Sequence, residues 1–237
     1  ADRFTAIYDV LFDATSTVPI QGKSNKLIRN IGRQEGMVNV GDQRDEVLSV
    51  DKTLFHAELQ RLMSFYDQLD ASIFFKLIHR AYDKAINDIH QKSLIFYHIH
   101  NPNTHAQLNF VRSAPNANWV MMVREPVQAC ESWLGKALQQ NECVEIANKI
   151  FGMLFEIDNI IYHKQNSVGV RLEDLKERPR QTIPALCNWI GIEETESLYE
   201  MTAQGKKWWG DPASPDFARD GMNPFGKTSK SQIRFSL

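Results

Sequence analysis

The sequence predicts an α/β protein, in which a parallel sheet flanked by helices follows a mostly helical N-terminal region. Three runs carry that expectation. Trp119-Val120-Met121-Met122-Val123 is continuously apolar, as strands buried in parallel sheets are. Ser167-Val168-Gly169-Val170-Arg171 is a second short run of strand-forming residues, and it passes directly into an acidic turn. Ser93 to Asn101 is a third, rich in β-branched and aromatic residues and stopped by Pro102. With the helical patterns between them, residues 93–191 read strand, helix, strand, helix, helix, strand, helix. That is the order of parallel β-α units.

Each element has a local reason. Residues 1–92 are helical and irregular. Asp51 or Ser49 can cap a helix whose Leu54, Phe55, Leu59, Leu62, Met63 and Tyr66 share one face. A second helix is expected from about Ala71 to Ile89. Past Pro102, Asn103 and Thr104 can cap the next helix. Pro126 suits the first turn of the helix after the apolar run, where its missing N–H costs nothing. A long helix from about Val144 to Tyr162 carries Ile146, Ile150, Leu154, Ile157 and Ile161 as its expected core stripe. A shorter one is punctuated by Thr182 as N-cap, Pro184 in the first turn and Gly191 past the end. Residues 192–237 are expected to form a short helix and a loop region. There Lys206, Lys207, Trp208 and Trp209 either line the entrance to a site or, the favoured expectation, the two tryptophans plug the core.

Composition sets broad limits. A chain of 237 residues, 43% hydrophobic and 24% charged, can bury one large core or two small ones. A single domain of three parts, 1–92, 93–191 and 192–237, is the expectation. A formal net charge of −2 argues against wholesale nucleic-acid binding. No apolar run reaches transmembrane length, and Ala1-Asp2-Arg3 opens no secretory signal. Cys130, Cys143 and Cys187 are odd in number and fall in predicted helices, which implies a reducing, cytoplasmic setting. The cysteine, histidine and carboxylate spacings show no metal pattern.

The chemistry is carried by Arg124-Glu125-Pro126 and Ser132. Arg124 falls at a strand's carboxyl end, where open α/β sheets bind ligands. Ser132 lies eight positions later, two turns into the helix. A guanidinium fork and a hydroxyl on one wall suit a phosphate. This frame resembles the 3′-phosphate-binding motif of the sulfotransferases that use 3′-phosphoadenosine 5′-phosphosulfate (PAPS). There an arginine follows a core strand, Asp/Glu/Asn-Pro comes next, and a serine falls eight positions after the arginine.

Further segments extend the likeness. The run from Ser167 to Gly191 resembles the family's downstream strand, its Glu-Asp-Leu turn (Glu173-Asp174-Leu175), its Lys-Glu-x-Pro step (Lys176 to Pro179) and its glycine-terminated helix. Leu172 stands where cytosolic members commonly place an adenine-binding tyrosine. Glu173 and Asp174 themselves read as helix N-terminal carboxylates favoured by the dipole. His98-Ile99-His100-Asn101-Pro102 is similar to a Lys-x-His-x-Pro strand end. That implies His100 as general base on the acceptor and His98 at the leaving-group lysine's position. Aligned with the Lys-x-Pro-x-Asn of other bacterial members, His100 would instead take the lysine's place. The tail from Asn223 to Arg234 resembles a C-terminal segment that closes over the nucleotide, implying contacts from Lys227, Thr228, Ser229 and Arg234; a solvated tail is the other reading.

The likeness is good over 93–191 and weak elsewhere. It implies a P-loop-NTPase-like sulfotransferase fold with an N-terminal helical roof over the acceptor pocket. PAPS is the implied co-substrate, PAP the product, and no metal is needed. The acceptor would be a hydroxyl or amine on a small molecule, carbohydrate or lipid. In such a reaction the protein positions the groups in line and neutralises the leaving oxygen, and a base contributes ~10²–10⁴-fold. The family's 5′-phosphosulfate loop has one candidate counterpart, Pro19 to Asn25. It contains Gly22-Lys23-Ser24 but lacks the first glycine of a Walker A loop. Four readings stay open: a sulfotransferase whose loop is expected upstream of Ala1 or at Pro19 to Asn25, a PAP-binding descendant or fragment without turnover, a kinase-like enzyme using Gly22-Lys23-Ser24, and an interaction module that binds no nucleotide.

Overall fold

The computed structural model describes residues 12–16, 18–19, 28–29, 31–90, 92–99, 104–129, 131, 134, 143–157, 160–163, 166–214 and 216–227. The chain divides into two compact units, Ala1–His98 with Glu200–Asn223 and Ile99–Tyr199 with Pro224–Leu237.

Among the described residues, the first paired strands of the first unit are β1 (Val18–Pro19) and β2 (Ile28–Arg29), which run antiparallel and are followed by a short α1 (Ile31–Gln34). Its core is the pair α2 (Lys52–Met63) and α3 (Ala71–Ala85). Each starts at an aspartate. The Asp51 carboxylate accepts the Leu54 N–H at 2.9 Å and that of Asp70 accepts the Ile73 N–H at 2.7 Å, satisfying donors that a helix start leaves over. Phe55, Leu59 and Leu62 recur on one face of α2, and Leu77, Ala81 and Ala85 on one face of α3. Phe12 closes the cluster, its ring centroid 4.9 Å from that of Phe55. Tyr66 falls beyond the end of α2 and is exposed, so it does not share the buried face as expected. The second helix stops at Ala85 rather than near Ile89. Asn87, at φ +55°, turns the chain there, a conformation asparagine tolerates better than most residues.

The run from Ser93 to Asn101 has the composition of a strand. Described residues 92–99 form none, contrary to that expectation, and Leu94, Phe96 and Tyr97 are exposed. The run is tied instead to α3 and the turn after it. Lys92 Nζ lies 2.6 Å from Asp83 and 2.7 Å from Asp88, and the Tyr97 ring meets Phe75 edge-on at 5.4 Å. Strand propensity reflects fit to neighbouring strands, and here the neighbour is a helix.

His79, on α3, stands edge-on to Phe75 at 4.7 Å. Burial holds its pKa below the ordinary histidine value, against the pull of Asp83 and with the push of Lys92. The unfolded chain therefore takes up a proton near pH ~6.5 that the folded chain resists, and stability falls as pH drops through that value. His79→Leu is expected to flatten the loss of stability between pH 7 and 5 in urea unfolding. A slope equal to the wild type would show that His79 is not the titrating group.

Residues 200–223 return to the first unit as a strap. It opens with a small antiparallel hairpin, in which Thr202–Ala203 pairs with Lys206–Lys207 through Gln204 at φ +53° and Gly205 at φ +73°. Two positive φ values are what the right-handed strand twist selects in a two-residue hairpin turn. Trp209 is buried and its Nε1–H donates to the Gly41 carbonyl at 2.6 Å; Trp208 Nε1–H donates to the Glu35 carbonyl at 2.8 Å. Arg44 lies 4.0 Å over the Trp209 ring and donates to the carbonyls of Phe217 and Arg219, each at 2.7 Å. Trp209 is thus buried, outside the α2–α3 cluster, while Trp208 is half-buried, so the expectation that both tryptophans plug the core is met only in the burial of Trp209.

The second unit contains α4 (Thr104–Ser113), β3 (Trp119–Val123), α5 (Cys143–Ile157), β4 (Ser167–Arg171), α6 (Leu172–Glu177) and α7 (Pro179–Ile190). β3 and β4 pair in parallel from Trp119↔Ser167 to Val123↔Arg171. This is the expected β-α arrangement, in a sheet of two strands among the described residues. β3 is only half-buried, and Met122 is 52% exposed, so its apolar run does not mark a strand covered on both faces. α7 starts at Pro179 in its first turn, not at Thr182. Thr182 is interior, its hydroxyl donating back to the carbonyls of Asp174 and Arg178. Gly191 ends the helix at φ +84°, as expected. On α5 the expected core stripe is not buried throughout: Ile150 and Leu154 are exposed, while Ile161, in a 3-10 turn at Ile160–His163, is buried. Periodicity identifies an apolar face but not what covers it.

Candidate functional site

The carboxyl edge of the β3–β4 pair positions the candidate residues. Because Val123 pairs with Arg171, Arg124 and Leu172 leave the sheet side by side. Arg124 is half-buried. Its Nε–H is fully buried and meets no hydrogen-bond acceptor among the described residues. A buried guanidinium donor without an acceptor costs about 1–3 kcal/mol or more, which explains why such groups are matched to oxyanions.

The turn after Arg124 is tightly built. Pro126 opens a helical turn over residues 126–129, as its ring favours. Glu125 caps it. One carboxylate oxygen accepts the Val127 N–H at 3.1 Å, the other accepts the Gln128 N–H at 2.6 Å, and its carbonyl accepts the Ala129 N–H at 2.9 Å. The N–H of Glu125 itself donates to Glu173 Oε1 at 3.0 Å, across 48 positions of sequence.

Glu173 and Asp174 stand in the first turn of α6, as read from the sequence. Asp174 pairs with Arg178. Glu173 additionally reaches the neighbouring turn, a contact that sequence alone does not indicate. The signal lies in combining two motifs: parallel pairing of the two strands puts the residues just past each next to one another. Arg171 lies 3.8 Å from Glu173 Oε2 and is exposed, a weak pairing. Glu173 Oε2 and Gln128 Oε1 are buried without a hydrogen-bond partner among the described residues.

The tail starts against the same unit. The Gly226 N–H donates to the Lys176 carbonyl of α6 at 2.7 Å, and the Phe225 ring lies 6.1 Å from that of Tyr199. Lys227 follows and is exposed. Leu172, at the position where the resemblance expects an aromatic residue, is half-buried as the first residue of α6.

Arg124 and Lys227 belong to the second unit and His98, exposed, to the first. His100, Ser132, Thr228, Ser229 and Arg234 lie outside the described residues, as does Gly22-Lys23-Ser24.

A concavity of about 560 Å³ lies in the first unit, not at the Arg124 turn, beside Asn87, His90, Lys92, Gln204 and Lys206. Its lysines are already matched, Lys92 to Asp83 and Asp88, and Lys206 to Glu46 at 2.5 Å. That pairing leaves little uncompensated positive charge there for a further anion. Among the described residues, no group of three or more histidines, cysteines or acids is arranged to hold a metal ion. None of their helices is long and apolar enough to cross a membrane. No family model, no curated protein and no solved structure matches the chain.

Proposed function

We propose that the chain is a PAPS-dependent sulfotransferase domain, moving a sulfuryl group from PAPS to a hydroxyl or amine and releasing PAP. The observation that carries this reading is Arg124. It stands at the carboxyl end of a parallel strand, directly before a proline-opened, carboxylate-capped helical turn, and its buried Nε–H lacks an acceptor among the described residues. The 3′-phosphate of the nucleotide supplies oxygens for that fork, with the Ser132 hydroxyl as its neutral partner. The Gly226 N–H bonds the Lys176 carbonyl of α6, and the resemblance gives Lys227, Thr228, Ser229 and Arg234 a closing role over the nucleotide.

In this reading His100 takes the acceptor proton as the new S–O bond forms. The electron pair of the breaking S–O bond goes to the phosphate oxygen of PAP. His98 is placed by the resemblance near that leaving oxygen, with charge available only where it is protonated. The acceptor is a small molecule, carbohydrate or lipid, and the setting cytoplasmic.

Calorimetric titration with PAP, 5′-AMP and ATP–Mg²⁺ tests the proposal. Preference for PAP over 5′-AMP is the expected result. Preference for ATP–Mg²⁺ would replace this reading with the kinase-like one, and no nucleotide binding at all would end it. A PAP-binding protein whose turnover is unchanged in His100→Ala would retain the site but lose the assigned base.

A further inference from the structure

We infer that Glu173 is a positioning residue that sets the direction of Arg124, a role no motif assigns to it. The sequence Glu125-Pro126-Val127-Gln128 has the spacing of a capping box, in which a Gln side chain at the third helical position returns to the N–H of the capping residue. Here that return is not made. The Glu125 N–H is taken by Glu173 Oε1 at 3.0 Å, and Gln128 Oε1 is left buried without a partner among the described residues. The box is completed from the other β-α segment.

This placement matters because the bonded N–H belongs to the peptide joining Arg124 to Glu125. Fixing that peptide fixes the backbone from which the Arg124 side chain leaves the sheet. Two carboxylates then act in series: Glu173 holds the capping residue, and Glu125 holds the N–H groups of Val127 and Gln128. The strand pairing Val123↔Arg171 brings the two β-α segments into register, so the contact spans the pair just where the chain leaves each strand. A side chain held this way contributes to recognition through pre-organisation rather than through contact with the ligand.

The inference rests on the nucleotide reading for its binding arm only. Amide hydrogen exchange of Glu125 reads the contact itself. Glu173→Ala is expected to speed exchange of the Glu125 N–H and to lower PAP affinity by ~tenfold, the scale of a lost hydrogen bond to a charged group. Affinity for 5′-AMP should change little, so the PAP-to-AMP ratio shrinks. Glu173→Gln keeps an acceptor oxygen and is expected to restore both exchange protection and the ratio. Wild-type exchange at Glu125 in Glu173→Ala overturns the inference, as does a Glu173→Gln protein that behaves like the alanine variant. If the wild type shows no PAP preference, the nucleotide reading fails, and the exchange arm still decides whether Glu173 holds the turn.

Discussion

Arg124→Ala is expected to weaken PAP binding ~10- to 100-fold and to erase the preference for PAP over 5′-AMP. The size follows from what is removed. Arg124 offers a planar fork whose buried Nε–H has no acceptor among the described residues, so no described partner of that donor is lost with it and the expected effect falls on the ligand. Arg124→Lys should recover only part, because an ammonium is a point charge without the paired geometry. Ser132→Ala removes a neutral partner and is expected to cost only ~2- to 10-fold. Calorimetry on the three variants separates these values. Equal losses for Arg124→Ala and Ser132→Ala would count against the roles assigned to them.

Phe55→Ala is expected to destabilise the protein by about 3–5 kcal/mol, a large share of the 5–15 kcal/mol typical of a domain. Phe55 is 0% exposed and sits where α2, α3 and Phe12 converge. Removing the ring forfeits its burial and leaves a cavity that two capped helices cannot readily collapse. Phe65, just past the end of α2, is 68% exposed, and Phe65→Ala should stay within about 0.5 kcal/mol. Urea unfolding of both variants tests the pair, and a loss below about 1 kcal/mol for Phe55→Ala would sink the assignment of this cluster as the core.

The legible parts of this chain are those set by neighbours in sequence. Asp51 and the Phe55-Leu59-Leu62 spacing are enough to mark α2, because capping and helical periodicity act within a few residues. The same holds for Pro126 in its helical turn, for the β3 and β4 runs and for Gly191 as a C-cap. Local patterns mislead where they have to stand for a distant partner. The run from Ser93 has strand composition, yet Tyr97 and the Lys92 before it find partners on α3, at Phe75 and Asp83, and Lys92 also at Asp88 just beyond it. Ile150 and Leu154 have core spacing but are exposed, and Thr182 has a cap's chemistry but lies inside a helix that Pro179 has already begun.

For the candidate site, Arg124 and its strand–Pro–helix frame are readable because strand end, proline and helix start are consecutive. The Glu173 contact is not, because it joins residues 48 positions apart and exists only once β3 and β4 pair in parallel. The strap's hold on Gly41 and Glu35 through Trp209 and Trp208 is of the same kind, made across 168 and 173 positions. Sequence by itself determined where several helices and strands begin and which charged group stands at a strand end, since those depend on short-range sterics and hydrogen bonding. Tertiary structure alone decided which apolar faces are covered and which carboxylate holds the Arg124 turn, because burial and long-range hydrogen bonds depend on what the rest of the chain brings alongside.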